Sequence, residues 1–373
     1  MADEVALLQL ARTEGIGPVG FVALLERHGS ATAALAAVRR EGGRQVPERA
    51  AITAEIAAMR ALGARLLLRG RPDYPAMLDA VPGSPPALTV RGDGDLLAQP
   101  AVAVVGARNA SLNGRSLARQ LARELAGAGL VVVSGLARGI DTAAHEGALA
   151  AGGATVAVIA TGADIAYPPE NAELMERIAA HGAVASERPL GAEARARDFP
   201  RRNRVIAGLA LGTLVIEAAT GSGSLITARL AADYGREVLA IPGSPLDPRH
   251  RGTNQLLREG AHLVETVDDV LEVLRPLMER AEPPPVRRTR LAPERPQPER
   301  TEPPRHRPRP APPPAGDLAG RIEQALGPAP LAVDEIIREC NAPAPDVQAA
   351  LLDLELAGRI DRHPGNRVSL RAG

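Results

Sequence analysis

Three glycine-rich turns in the middle of the chain each follow a short, β-branched apolar run: Gly106-Ala107-Arg108, Ser134-Gly135-Leu136-Ala137-Arg138-Gly139, and Thr220-Gly221-Ser222-Gly223-Ser224. A buried strand that ends in glycine and serine and feeds straight into a helix leaves backbone N–H groups free to receive an anion. Three such turns, interleaved with arginines and accompanied by Arg201-Arg202-Asn203-Arg204, suit a track for several phosphates better than a seat for one cofactor.

The apolar runs are Ala101–Val105, Leu130–Val133, Thr155–Ala160, Ala183–Ala185, Thr213–Ile216 and Glu237–Ile241, separated by stretches of helical spacing. Continuous rather than alternating apolarity marks strands covered on both faces, and strand-helix alternation predicts a doubly wound parallel sheet. Ligands of such sheets bind outside the carboxyl ends of the strands, where all three turns fall.

At 373 residues the chain exceeds a single ordinary core, which predicts several domains. Residues 1–64 read as small helices around Gly15-Ile16-Gly17-Pro18, resembling SAM or helix-hairpin-helix modules, whose tight turns can present N–H groups to phosphate. A plain packing or dimerisation module fits the same pattern. Residues 65–275 form the expected α/β domain. A linker is expected over 276–316: residues 281–315 carry thirteen prolines and eight arginines against four glutamates, with no apolar periodicity. Residues 317–373 regain helical spacing and end in two short strands around Pro364-Gly365, the order of a winged helix. Its second-motif helix, Pro345–Ala357, carries Asp346, Asp353 and Glu355 and no arginine, so protein contact is favoured over reading of base edges.

No run approaches the length of a membrane helix and the N-terminus shows no signal-peptide pattern, so a cytoplasmic protein is expected. The single cysteine, Cys340, excludes an intrachain disulfide, and the scattered histidines give no metal-ligand spacing. Every basic residue is arginine, and 44 of them balance 44 acids. Any affinity for nucleic acid must therefore come from local clustering.

Phe and Tyr rings are confined to Phe21, Phe199, Tyr74, Tyr167 and Tyr234. Phe199 lies in Asp198-Phe199-Pro200-Arg201-Arg202-Asn203-Arg204, read as a cationic loop before a helix starting near Val205. An aromatic among arginines suits a stacked base flanked by held phosphates; a ring anchoring the loop in the core is the alternative. Gly106-Ala107-Arg108-Asn109-Ala110 lacks a dinucleotide fingerprint, and a chain without lysine has no Walker loop. Asp141 and His145 share a helix face, with Ser134 nearby. That is either acid/base machinery or, as we favour, a helix-start carboxylate orienting a histidine.

The ordered motifs Gly106-Ala107-Arg108, Ser134–Asp141, His145, Tyr167-Pro168, Ser186-Glu187, Phe199-Pro200-x-Arg202-Asn203-Arg204, Val215–Ala218, Ser222–Ala228 and Pro242-Gly243 resemble the DNA processing protein A (DprA/Smf) family over about residues 65–275. The resemblance implies an extended Rossmann-like domain and a non-enzymatic binder of single-stranded DNA that protects incoming strands in natural transformation. It further implies loading of RecA recombinase, action as a homodimer, and no cofactor. By position, Gly106, Arg108, Ser134, Gly135, Arg138, Phe199, Arg201, Arg202, Asn203, Arg204 and the turn Thr220, Gly221, Ser222, Gly223, Ser224 would contact the strand. Members often carry a lysine shortly before the Phe; here Arg195 or Arg197 would supply that charge. The rival class is the phosphoribohydrolases, which cleave nucleoside monophosphates on a similar fold. Their Pro-Gly-Gly-x-Gly-Thr-x-x-Glu pattern is absent here, leaving Glu217 as the sole candidate acid. A transcriptional regulator would rest on the winged helix alone.

Overall fold

The computed structural model describes residues 2–280, 318–327, 330–340, 342–363 and 365–371. The chain divides into two compact units, Met1–Ala281 and Glu282–Gly373. The expected Pro/Arg-rich linker lies outside the described residues from 281 onward.

The first unit opens with four helices, α1 (Ala2–Ala11), α2 (Pro18–His28), α3 (Ala31–Glu41) and α4 (Arg49–Ala61). Pro18 opens α2, where its missing N–H costs nothing. Ser30 caps α3 by accepting from the Ala33 N–H at 3.2 Å. Leu8, Leu10, Phe21 and Met59 form their core, which continues into Leu68 and Ala87 of the following strands, so helices and sheet share one apolar cluster.

Nine strands form the central sheet: β1 (Ala64–Leu68), β2 (Ala87–Gly92), β3 (Ala101–Val105), β4 (Val131–Ser134), β5 (Thr155–Ile159), β6 (Ala183–Ser186), β7 (Gly212–Val215), β8 (Glu237–Ala240) and β9 (His262–Leu263). Their order is β1-β2-β6-β5-β4-β3-β7-β8-β9. From β6 to β9 every pairing is parallel, as the continuous apolar runs predict. Alternate residues serve opposite faces: Ala101, Ala103 and Val105 join one core cluster, Val102 and Val104 the other.

The doubly wound parallel sheet is extended at one edge, where β1 pairs with β2 and β2 with β6 in antiparallel fashion. Leu67, Leu88 and Val90 face the sheet core while Leu68 and Ala87 face the N-terminal helices, so both faces are covered there too. The prolines between 82 and 86 obscure β2 in the sequence.

Helices α5 (Ala76–Asp79), α9 (Asp198–Leu209), α10 (Gly223–Asp233) and α11 (Arg251–Arg258) supply Leu78, Val205, Leu225 and Leu256 to the core on one face. Helices α6 (Leu112–Gly127), α7 (Ile140–Ala150) and α12 (Val267–Arg280) cover the other. The helix α8 (Ala172–His181) packs Leu174, Met175 and Ile178 beside β5 and β6. Because Leu277 and Met278 reach the same core as Leu274, α12 continues to Arg280, and residues 276–280 belong to the domain rather than to the linker.

The second unit contains α13 (Leu318–Ala325), β10 (Leu331–Ala332), α14 (Val333–Cys340), α15 (Ala344–Leu356), β11 (Ile360–His363) and β12 (Arg367–Leu370), with sheet order β10-β12-β11. This is a winged helix. Helix α15 buries Val347, Leu351 and Leu354 and exposes Leu352 and Leu356. Among the described residues, no helix is long and apolar enough to cross a membrane.

Candidate nucleic-acid interface

Strand order reverses between β3 and β7: the chain runs outward from β3 through β4, β5 and β6, then returns through α9 to place β7 on the other side of β3. The loops leaving β3 and β7 diverge at such a switch point, which opens a crevice at the carboxyl edge. A depression there is lined by Gly106, Arg108, Ala137, Phe199, Asn203, Gly223 and Ser224 among others, so all three glycine-rich turns meet in it. A second depression on the other side of Phe199 is lined by Arg108, Gly135, Arg138, Tyr167, Phe199 and Arg202.

The cationic segment departs from expectation. Phe199 and Arg201–Arg204 lie not in a loop but in the first two turns of α9, which starts at Asp198. Pro200 sits in the opening turn, where no intrahelical N–H bond is required. Helical register then sends the arginines in different directions, so that they differ in burial and in partners.

Arg202 points inward. It is buried, and its Nη1 donates to the carbonyl oxygens of Gly135 and, at 2.8 Å, of Val158. A Cβ at position 135 would fall 1.9 Å from that nitrogen, so glycine is needed there for the guanidinium to pass. Burial lowers the Arg202 pKa, with the Asp141 charge opposing. Asp141 accepts from the N–H groups of Gly135 at 3.2 Å and Ala137 at 3.3 Å. Burial raises its pKa, opposed first by Arg202 and then by those N–H donors. The pair thus shapes the 135–139 loop from beneath. From the side, Asn171 donates to the Leu136 carbonyl at 2.9 Å and holds that residue in the left-handed region at φ 56°. Gly139 (φ 77°) packs so tightly on the Gly106–Arg108 turn that a Cβ would lie 2.3 Å from the Ala107 carbonyl oxygen.

Over this frame lies an aromatic and cationic cluster. The Arg108 guanidinium carbon sits 5.0 Å from the centre of the half-buried Phe199 ring, and Tyr167 lies 5.6 Å away at an interplanar angle of 52°. Tyr167 is 44% exposed. It is absent from the residues expected to contact the strand; a lone Tyr before proline in a chain with so few rings was the available clue.

The remaining expected residues divide. Arg138 is exposed and paired with Glu170. Ser134 is fully buried and donates to the Val104 carbonyl at 2.7 Å, so its hydroxyl faces the sheet rather than a ligand. Asn203 donates to the Gly223 carbonyl at 3.2 Å, tying α9 to the start of α10. Ser222 caps α10, while Thr220 and Gly221 are exposed outside the two depressions. Arg195 and Arg197 are both exposed on the approach to α9. Arg201 and Arg204 line a larger cleft beside these depressions, and Arg204 pairs there with Glu187 at 2.5 Å.

The acid/base candidates serve the scaffold. Asp141 and His145 bond elsewhere: His145 Nδ1 meets Thr155 Oγ1 at 2.7 Å, and that hydroxyl donates to the Val132 carbonyl, so Nδ1 carries the proton. Burial first, and the Arg202 charge second, lower the His145 pKa to about 3. Glu217 is buried and accepts from the Ser111 N–H at 2.9 Å and from its hydroxyl, locking the N-cap of α6.

A nine-stranded, largely parallel sheet whose glycine-rich turns and arginine-backed ring gather at its switch point defines a Rossmann-like protein. Comparison with known proteins identifies the family. The profile "DNA recombination-mediator protein A" matches residues 65–275, "DprA-like N-terminal HHH domain" matches 1–58, and "DprA winged helix domain" matches 306–366. The chain belongs to the DprA/Smf family. It is 36% identical over 313 residues to Protein Smf of Synechocystis, covering 80% of this chain and 78% of that one. With DNA processing protein DprA of Streptococcus pneumoniae it shares 47% identity over 198 residues, 53% of this chain and 70% of that one. The crystal structure of the S. pneumoniae protein superposes with a TM-score of 0.64 at 34% identity, covering 72% of this chain and 97% of that one. The structure of DprA from Helicobacter pylori, described for its single-stranded DNA binding mode, superposes with a TM-score of 0.52 at 30% identity, covering 57% and 96%.

Proposed function

We propose that this protein binds single-stranded DNA with little sequence preference and without cleaving it. In this reading it shelters strands taken up in transformation and hands them to RecA recombinase, acting as a homodimer in the cytoplasm. The observation that carries the reading is the Arg108–Phe199–Tyr167 cluster over the switch point, beside the start of α10. The rings offer stacking faces that accept any base, while the guanidinium and backbone N–H groups suit phosphates. No array of base-edge readers surrounds them, which argues for sequence tolerance. The H. pylori relative, described as a single-strand binder, supports the same ligand class.

The phosphoribohydrolase reading requires a carboxylate free to act. Glu217 is instead engaged by Ser111, which favours a binding role over cleavage.

Titration with a homopolymer single strand and with its duplex, over a range of salt, tests the proposal. Preference for the single strand is expected, with log affinity falling at a slope of about −0.7 per phosphate neutralised. Equal affinity for blunt duplex, or release of free base from adenosine monophosphate, would overturn it.

A further inference from the structure

Arg201 and Arg204 leave α9 away from Phe199 and line a cleft of about 780 Å³. One wall is the Gly15-Ile16-Gly17-Pro18 turn of the N-terminal helices; the other is the Glu187–Pro189 segment after β6. Both walls belong to the same compact unit. Arg202 and Ala160 line this cleft and also the depression under Tyr167 and Phe199, so the two are contiguous.

Polar atoms in the cleft walls lack hydrogen-bond partners. Both carboxylate oxygens of Asp198, whose side chain is 2% exposed, accept no hydrogen bond, and Oδ2 meets Arg188 Nε only as a long ion pair at 3.7 Å; Arg188 Nε and Arg204 Nη1 donate no hydrogen bond. Buried polar groups are seldom left so unless a ligand completes them. The mixture of signs is informative. A bare anion would meet Asp198 and Glu187 as well as the arginines, whereas a nucleotide offers phosphate oxygens to guanidinium groups and base N–H groups to a carboxylate. The cleft is also several-fold larger than the depression at Phe199, about 110 Å³.

Resting on the single-strand reading above, we infer that the strand continues from Phe199 into this cleft. The N-terminal helical domain then forms one wall of the binding path and lengthens the site beyond the Rossmann-like domain.

Gly17 gives a clean test, because it lines the cleft, has φ −83°, and a Cβ there meets nothing within 4 Å. Anisotropy titrations of the full chain would use oligothymidylates of about 5 and about 15 nucleotides, which span common single-strand site sizes. The longer strand should bind the unaltered protein more tightly than its extra registers alone explain. Gly17→Glu should weaken the long strand by roughly fivefold or more while leaving the short one unchanged, and Gly17→Arg should strengthen the long strand. Circular dichroism would verify folding of both variants. If both substitutions leave the ratio of long to short affinity untouched while Phe199→Ala still weakens the short strand, this inference fails and the single-strand reading stands. If the unaltered protein binds neither strand, both fail.

Discussion

The Arg202 guanidinium occupies the space that a side chain at position 135 would need, and it donates to the Gly135 carbonyl. One arginine of a cationic run is thereby removed from the surface and made the support of the turn that follows β4. Its charge is balanced by Asp141, which holds the same turn by two N–H bonds.

Arg202→Ala should consequently act on folding before it acts on binding. It leaves Asp141 buried without its opposing charge and two carbonyl oxygens without their donor, a loss of about 3–5 kcal/mol. Urea denaturation checks this. An unchanged midpoint combined with weak strand binding would instead make Arg202 a direct contact.

Phe199→Ala should behave in the opposite way. Removing a half-buried ring at the site should cost about 1–3 kcal/mol of single-strand affinity and leave the salt slope intact. Arg108→Ala should flatten that slope by about 0.7. Titrations at several salt concentrations separate the two; a lowered melting temperature with normal affinity in Phe199→Ala would assign the ring to the core.

Tyr167→Ala should weaken single-strand binding in the same sense as Phe199→Ala, because an exposed ring beside Phe199 offers a second stacking face. Tyr167→Phe should retain most of the affinity. Equal loss in both variants would point to the hydroxyl rather than the ring.

His145 should make stability depend on acid. Its pKa falls from 6.5 when exposed to about 3 in the fold. Above pH 6.5 both states are neutral there and nothing is lost. Between pH 6.5 and about 3 the unfolded chain takes up a proton that the folded one refuses, so stability should decline by up to about 1.4 kcal/mol per pH unit. His145→Leu removes that contribution, and denaturation at pH 7 and pH 5 should show a shallower decline in the variant.

Truncation after Ala281 should leave single-strand affinity within about tenfold, some 1.4 kcal/mol. The first unit has its own core, and α15 of the second exposes acidic and apolar side chains with no arginine. A folded truncation that binds far more weakly would move the main site out of the Rossmann-like domain.

The parallel strands were legible because strands buried on both faces must be apolar at every position, a constraint visible in any one of them. The position of the glycine-rich turns at strand ends was legible for a similarly local reason, but the N–H groups of Gly135 and Ala137, expected to be free, are taken by Asp141. Phe199 stood out as a ring set among arginines.

What escaped depended on direction and partnership. The sequence could place Arg201, Arg202 and Arg204 together, but only the helical register of α9 buries one against the 135–139 turn and turns the other two toward the Glu187 side. Tyr167 meets Phe199 only because the chain returns from β5 to the same edge. Ser134, Asp141, His145 and Glu217 have the side chains of catalysts. Their hydrogen bonds go to Val104, the 135–137 backbone, Thr155 and Ser111, and the one ring nitrogen left over, His145 Nε2, is buried away from any ligand. Local sequence determines which chemistry is present; only long-range packing decides which of those groups is left unpaired and facing a ligand, because each buried polar atom must find its partner within the fold.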